Sequence, residues 1–239
     1  MRYLGGKHRI GREISEILLK YGPPDKVKGY LEPFCGSLGV SKNMLNKDYR
    51  KYQLSDIQSD LIQLWKECQD GTFKLPRKVS EKTYKKFKNK PSPCAMKAYI
   101  GFGLSFCGIF FSSYIQNKDS RDYNKEITNS IKKIKPLIQQ KNVKFKCQSY
   151  NKWKPKGLLI YCDPPYQNTT GYKSTGEFEH NKFWDKIREW SKNNIVVVSE
   201  YKAPRDFKCI WKRKLHVSVN NVNGTTYNTE KLFILRKST

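Results

Sequence analysis

The sequence predicts one α/β domain interrupted by an insertion, and two stretches of alternating elements carry that prediction. Residues 10–69 pass through an amphipathic helix, a short strand, a glycine-containing loop, a helix and a strand that ends in an acid. Residues 143–239 return to strands separated by a helix. Strands that alternate with helices are typical of a parallel sheet covered by helices. At 239 residues, the chain is long enough for one such domain and a small insertion.

The first predicted element is an amphipathic helix over about residues 10–20. Its apolar side chains recur at helical spacing, at Ile10, Ile14, Ile17 and Leu18. Gly22-Pro23-Pro24 ends this helix, because proline cannot continue it. Residues 29–31 then predict a short strand, and the loop after it leads into a helix over residues 37–45.

The next elements complete a recognisable unit. Residues 52–55 predict a strand that ends at Asp56, and a helix through residues 61–65 follows. The order of strand, glycine loop, helix, strand and acid is that of a nucleotide-type βαβ unit.

Residues 70–142 do not continue the alternation of strands and helices, so they predict an insertion rather than further strands of the sheet. Residues 81–97 interleave aromatic residues with six lysines and contain one acid. Residues 98–117 are uncharged and approach the length of a membrane span. Glycines and serines interrupt that stretch, so we expect a buried helix and turn instead. A helix with apolar positions at Ile127, Ile131, Ile134 and Ile138 follows.

The α/β pattern resumes after the insertion. The predicted strands cover residues 143–147, 157–162, 195–199, 215–219 and 231–235. A helix lies between them over residues 183–190, and the last two strands form a hairpin around residues 220–228, which contain an Asn-Gly pair.

The charge of the chain indicates a polyanionic partner. It contains 47 Lys and Arg against 21 Asp and Glu, a net charge of +26. Nucleic acid is the first candidate, and a lysine-rich proteome or a need for solubility is the alternative. An aromatic content of 13% is too high for a disordered basic tail.

Cysteine usage and the first residues indicate the compartment. The seven cysteines are scattered without a C-x-x-C pair, and the three histidines lie far apart in the sequence. We therefore expect neither a disulfide framework nor a metal site. The N-terminus has no apolar targeting segment. These observations predict an intracellular, cytoplasmic protein that is not embedded in a membrane.

The tetrapeptide Asp163-Pro164-Pro165-Tyr166 is the strongest candidate for a functional site. It follows an apolar strand, and its two prolines fix the backbone and remove two donors. A stiff loop with a carboxylate, free carbonyls and an aromatic ring is suited to holding a flat ring that carries an amine. The alternative is that Asp-Pro-Pro is an ordinary turn.

Asp56 is the second candidate, because it lies twenty residues after Gly36 at a strand end. At this spacing an acid accepts ribose hydroxyls while glycines admit the rest of the ligand. Neither G-x-G-x-x-G nor a Walker motif is present, so an adenosine ligand such as S-adenosylmethionine fits better than NAD or ATP. A helix N-cap is the alternative role for Asp56.

Five blocks in order resemble the Dam-type DNA adenine-N6 methyltransferases with a DPPY motif, most closely the small forms of phages and other viruses. They are Tyr3-Leu4-Gly5-Gly6-Lys7, Glu32-Pro33-Phe34-Cys35-Gly36, residues 54–62, Asp163-Pro164-Pro165-Tyr166 and Thr229-Glu230-Lys231-Leu232-Phe233. The resemblance implies a Rossmann-like, S-adenosylmethionine-dependent methyltransferase sheet with a mostly helical target-recognition insertion. It also implies a catalytic domain of residues 1–69 and 143–239 and a DNA-binding insertion of residues 70–142.

The resemblance also implies roles for single residues. The implied cofactor contacts are Tyr3, Lys7, Phe34, Gly36, Asp56, Ile57, Tyr150 and Asp163. The implied catalytic residues are Asp163, Pro164, Pro165 and Tyr166, which hold the target adenine without a metal. Three features depart from the family's pattern. Leu38 interrupts a frequent F-x-G-x-G, Ser149 stands where many members have Asp, and the loop before Thr229 lacks much of the expected Ser, Gly and Lys.

The implied activity is methyl transfer from S-adenosylmethionine to N6 of an adenine flipped out of double-stranded DNA. Phe106 is one aromatic residue of the insertion that could fill the space left by that base. The implied protein is a monomer or weak dimer, and a restriction endonuclease is a candidate counterpart. An RNA methyltransferase or another planar-amine methyltransferase stays open, although Asp163, in place of Asn or Ser, favours adenine. A third possible function is that of a non-catalytic basic DNA-binding protein with this fold. A nuclease is not favoured, because the sequence shows no clustered carboxylate motif for a metal site.

Overall fold

The computed structural model describes residues 1–116, 121–140, 142–167, 178–217 and 226–236, and it contains a seven-stranded sheet. The strands are β1 Tyr30–Glu32, β2 Tyr52–Asp56, β3 Val143–Cys147, β4 Leu159–Cys162, β5 Ile195–Glu200, β6 Phe207–Val217 and β7 Thr226–Leu235. Their order across the sheet is β3-β2-β1-β4-β5-β7-β6. The first five are parallel, whereas β7 is antiparallel to both β5 and β6.

Helices cover the sheet and are the main regular elements of the insertion. They are α1 Gly11–Tyr21, α2 Ser41–Met44, α3 Ser59–Asp70, α4 Glu81–Lys88, α5 Ala95–Gly103, α6 Tyr123–Ile138 and α7 His180–Ser191. The predicted α/β class with a mostly helical insertion is confirmed. Among the described residues, no helix combines the length and the apolar character that crossing a membrane requires.

The order of the strands brings the loop after β1 and the loop after β4 to one point of the sheet. β1 pairs with β2 on one side and with β4 on the other, so the strand order reverses between β1 and β4. Ligands of open α/β sheets bind outside the carboxyl ends of the strands at such a reversal. The loop after Glu32 and the loop after Cys162 both begin there, and all residues of β1 and β4 are buried.

The insertion packs on the helical layer rather than standing apart from it. Apolar residues of α4, α5 and α6 belong to the same buried cluster as those of β1, β2 and α3. Asp60 on α3 fixes the start of α5, because its carboxylate accepts a bond from the Cys94 N–H at 2.7 Å and from the Ser92 hydroxyl at 2.9 Å. The domain limits inferred from the sequence stay a prediction.

Two predicted elements differ from the structure. The helix expected over residues 37–45 shrinks to α2, because Leu38 adopts a left-handed φ of 60° and the chain turns before Ser41. The hairpin strands are longer than predicted, since β6 begins at Phe207. Charged residues on this edge strand hid its apolar pattern. Residues 220–225 of the predicted turn and residues 218–219 of the predicted strand lie outside the described residues, whereas residues 226–228 of the predicted turn belong to β7.

Candidate active site

The candidate active site forms where the N-terminal loop meets the loop after β4. The Lys7 ammonium lies 3.0 Å from Asp163 Oδ1 and 3.8 Å from Glu230 Oε2 on β7. It also donates to the Gly5 carbonyl at 3.0 Å. The Lys7 side chain is only 7% exposed, so this ion pair is shielded from water.

Tyr166 is the second anchor of the site, and three neighbours hold it. Its hydroxyl donates to Glu230 Oε2 at 2.7 Å. The Tyr201 ring meets the Tyr166 ring at right angles, with the centroids 4.7 Å apart. The Lys7 ammonium lies 4.6 Å from the Tyr166 ring centroid, within cation–π range. The ring therefore has a fixed position before any substrate enters.

Burial and neighbouring charges set the protonation of these groups. Burial raises the pKa of Asp163 to about 6, Lys7 opposes that shift and Glu230 adds to it. Burial lowers the pKa of Lys7, but Asp163 and Glu230 together outweigh it and raise the pKa overall. At neutral pH, Asp163 is therefore a carboxylate beside a charged ammonium.

Glu200 holds the far end of the loop after β4. It is buried at the end of β5, where its carboxylate accepts from the Gln167 N–H at 3.2 Å and from the Tyr201 N–H at 2.7 Å. Burial raises its pKa to about 7, and these two backbone bonds oppose the shift. Glu200 thus ties the residue after Tyr166 to the residue that packs against the Tyr166 ring.

The neighbouring loop after β1 forms a second part of the site around Asp56. The Asp56 carboxylate accepts from the Gly36 N–H and from the Gln58 N–H, both at 3.0 Å. Burial raises the pKa of Asp56, and these backbone bonds oppose that rise. Gly36 has a left-handed φ of 46°, and a Cβ there would lie 3.1 Å from the Tyr3 ring. A side chain at position 36 would therefore crowd this concave loop.

Apolar groups lie beside Asp56. Ile57 is 54% exposed directly after the acid, which is unusual for a large aliphatic side chain. The Phe34 and Tyr150 rings pack with centroids 5.3 Å apart. These groups fit an adenosine: the acid for the ribose hydroxyls, and Ile57 with the two rings for the base.

The structure brings together several residues that the sequence singled out. Lys7, Asp163 and Tyr166 form one cluster, and Gly36 bonds directly to Asp56. Lys7, which the resemblance assigns to the cofactor, lies against the two carboxylates. The ligand roles of these residues stay predictions.

Sequence reasoning gave no role to Glu200 or Glu230. Glu200 could have been found, because it ends a strand in the same way as Asp56. The partnership of Glu230 with Lys7 has no local sequence pattern, because it depends on β7 pairing antiparallel to β5. Among the described residues, no cluster of three or more His, Cys, Asp or Glu could hold a metal ion.

The fold and this site define the chain as an α/β protein with a buried charged cluster next to the strand-order reversal, and comparison with known proteins gives its family. The model of the D12 class N6 adenine-specific DNA methyltransferases matches residues 3–92 and 110–223. This match covers most of the chain, so the protein belongs to that family. The resemblance inferred from the five sequence blocks is confirmed.

Curated relatives support the same assignment. M.FokI, a type II methyltransferase of Planomicrobium okeanokoites, is 22% identical over 214 residues, covering 79% of this chain and 32% of M.FokI. This chain therefore spans about a third of that relative. The DNA adenine methylase of Escherichia coli K12 is 23% identical over 273 residues, covering 99% of this chain and 94% of the methylase. The type II methyltransferase M.MjaIII of Methanocaldococcus jannaschii is 25% identical, covering 79% of this chain and 76% of M.MjaIII.

Among solved structures, TrmN from Thermus thermophilus aligns with a TM-score of 0.39 at 12% identity, covering 97% of this chain and 52% of TrmN.

Proposed function

We propose that this protein transfers a methyl group from S-adenosylmethionine to N6 of an adenine that is flipped out of double-stranded DNA. The observation that carries the proposal is the position of the Lys7 ammonium, which is 3.0 Å from Asp163 and 4.6 Å from the Tyr166 ring centroid. The site therefore already places an N–H donor against a carboxylate and over an aromatic ring. An adenine amine and its purine ring need the same two partners.

The chemistry follows from what an aromatic amine lacks. The lone pair of adenine N6 is delocalised into the ring, so the amine is a poor nucleophile. The Asp163 carboxylate and the Pro164 carbonyl each accept a hydrogen bond from one N–H group of the amine, and this arrangement favours a pyramidal nitrogen. When bound, S-adenosylmethionine would supply an electrophilic methyl on a positive sulfur, and that sulfur would keep the electron pair of the broken C–S bond as the new N–C bond forms. The methylated nitrogen then loses one proton, which Asp163 can accept.

The residues around Asp56 would hold the methyl donor. Asp56 would accept hydrogen bonds from the ribose hydroxyls. Ile57, Phe34 and Tyr150 would contact the adenine ring of the cofactor. Gly36 keeps the loop open for the ligand, and the Tyr3 ring lies against that glycine.

The insertion would bind the DNA. Phe106 is 59% exposed in a short hairpin-like segment closed by the bridge between Ser105 and Tyr114. We propose that the Phe106 ring inserts into the gap that the flipped adenine leaves in the duplex. Extrusion of a base costs roughly a few kcal/mol. Phosphate contacts from the basic surface would offset that cost.

The biological setting is part of the proposal. We place the protein in the cytoplasm as a monomer or weak dimer that acts on double-stranded DNA. The relatives M.FokI and M.MjaIII are named type II methyltransferases, which supports an endonuclease counterpart with the same recognition sequence.

The decisive experiment follows methyl transfer to DNA and RNA. The protein is incubated at low salt with labelled S-adenosylmethionine and unmethylated plasmid DNA, and in parallel with RNA. We expect label in N6-methyladenine of DNA alone, and its loss in Asp163→Ala. Asp185→Ala is the matched control, because that side chain is 76% exposed on α7. Absence of transfer to DNA by the wild type, or transfer to RNA alone, would contradict the proposal.

A further inference from the structure

The Lys7 ammonium occupies the place that the proposed function gives to the adenine amine. It forms an ion pair with Oδ1 of Asp163, whose carboxylate is the proposed acceptor of N6, and it lies over the Tyr166 ring, the surface on which the base would stack. Lys7 and the adenine therefore compete for one carboxylate. A base that stacks on Tyr166 beside Asp163 would displace the ammonium from its position over that ring.

A buried ammonium cannot give up its counter-ion without a replacement. The Lys7 side chain is 7% exposed, and an unpaired charge in such surroundings is strongly unfavourable. The second counter-ion has to lie close enough that a small rotation of the Lys7 side chain brings the ammonium to it. Glu230 meets this condition, because its Oε2 lies 3.8 Å from Lys7 Nζ on the strand beside β5.

Glu230 is also held in the orientation that this role requires. Its side chain is 10% exposed, and its Oε2 accepts the Tyr166 hydroxyl at 2.7 Å. The Tyr166 side chain, on which the base would stack, thus also holds the Glu230 carboxylate that would receive Lys7.

We propose that Glu230 is a positioning residue, which takes over the Lys7 ammonium from Asp163 when the target amine enters. The proposal rests on the proposed function and assigns Glu230 no contact with the substrate. Two features support it. Glu230 is the second carboxylate within ion-pair distance of Lys7, and its charge acts to raise the pKa of Asp163. Among the described residues, the other titratable groups that interact with this set are Glu32, Tyr161, Cys162, Glu200 and Tyr201.

Glu230→Gln separates the charge of this residue from its hydrogen bond. The amide oxygen can still accept the Tyr166 hydroxyl, but Lys7 has no second carboxylate and stays on Asp163. We expect the single-turnover rate of methyl transfer to fall about tenfold, the size of an ordinary coupling between neighbouring charges. Binding of S-adenosylmethionine, measured by calorimetry, should be unchanged. Glu189→Gln is the control, since that carboxylate is 61% exposed on α7.

The pH profile gives a readout that a merely structural role would not move. Because the Glu230 charge raises the pKa of Asp163, its removal should shift the acid limb of the rate profile to lower pH. Tyr166→Phe removes the hydroxyl and keeps both charges, so it should slow transfer less than Glu230→Gln does.

A double variant provides the sharpest test. Lys7→Met/Glu230→Gln removes the competing ammonium together with its alternative partner, so Asp163 is free to bind the amine. We expect this variant to be faster than Glu230→Gln alone. A double variant that is no faster, or a Glu230→Gln protein with the wild-type rate and acid limb, would overturn the proposal. Failure of the wild type to methylate DNA would instead contradict the proposed function itself.

Discussion

Glu32 shows how far burial alone can change the state of a single residue. It lies 2% exposed at the end of β1, and its Oε2 accepts the Tyr30 and Ser41 hydroxyls, both at 2.6 Å. Burial raises its pKa from 4.5 to about 8, and these two hydrogen bonds oppose the rise without cancelling it. At neutral pH, Glu32 is therefore mostly a neutral acid that supports the start of the loop leading to Gly36.

This shift predicts a pH-dependent stability. The folded state holds the Glu32 proton more tightly than the unfolded state, so the contribution of Glu32 is largest below pH 4.5 and declines as the pH rises to about 8. Glu32→Gln resembles the protonated acid and should remove this part of the decline. Urea unfolding across that pH range measures it, with Glu189→Gln as control. The same pH slope in wild type and Glu32→Gln would contradict the assignment.

At the scale of elements, the N-terminal loop and the segment that carries Phe106 are joined by backbone. Leu4 N–H donates to the Gly108 carbonyl at 3.2 Å. Gly108 has φ of +70°, and a Cβ there would lie 2.6 Å from the Tyr3 nitrogen. The proposed DNA-contacting segment thus lies directly against the loop that carries Lys7.

Gly108→Ala should separate these two elements. A methyl group at this position cannot fit, so Tyr3 or the hairpin-like segment has to move. Gly5→Ala is a matched control, because Gly5 has a similar φ of +73° but nothing within 4 Å of its Cβ position. Both variants carry the backbone strain, about 1 kcal/mol. Gly108→Ala alone carries the clash, and its free energy of unfolding should fall by about 1–3 kcal/mol more than that of Gly5→Ala. Equal losses would show that the contact has no consequence.

The same scale shows what the sequence could predict. The sequence predicts β3 over residues 143–147, as observed, because its strand pattern is short and bounded. It also identifies Asp56 and Asp163, because each of these acids lies at the end of a strand pattern or directly after it. The sequence does not predict where α2 begins, because the backbone angle of Leu38 is set by loop packing rather than by helix propensity. The cluster of Lys7 with Glu230 joins the two ends of the chain and depends on the whole sheet.

At the scale of the molecule, the net charge of +26 has to be distributed over surfaces with different roles. The lysines of α4 lie beside the segment that carries Phe106, because the Tyr84 hydroxyl bonds to Ser105 Oγ at 2.6 Å and its ring packs on Phe111. The end of α1 lies elsewhere, since Gly22 packs against Leu159 at the start of β4, and the loop that begins at Asp163 leaves the opposite end of that strand.

Salt dependence should therefore distinguish these surfaces. Each phosphate contact contributes about 0.9 to the slope of log affinity against log salt concentration. Lys86 and Lys88 are exposed on α4, so replacing both with Gln should reduce the slope by about two. Lys20→Gln/Lys26→Gln makes the same charge change on exposed residues at the far end, and it should leave the slope almost unchanged. Fluorescence anisotropy with duplex DNA over a range of salt concentrations measures both. Equal reductions would mean that the charge acts as a diffuse whole and that α4 does not face the DNA.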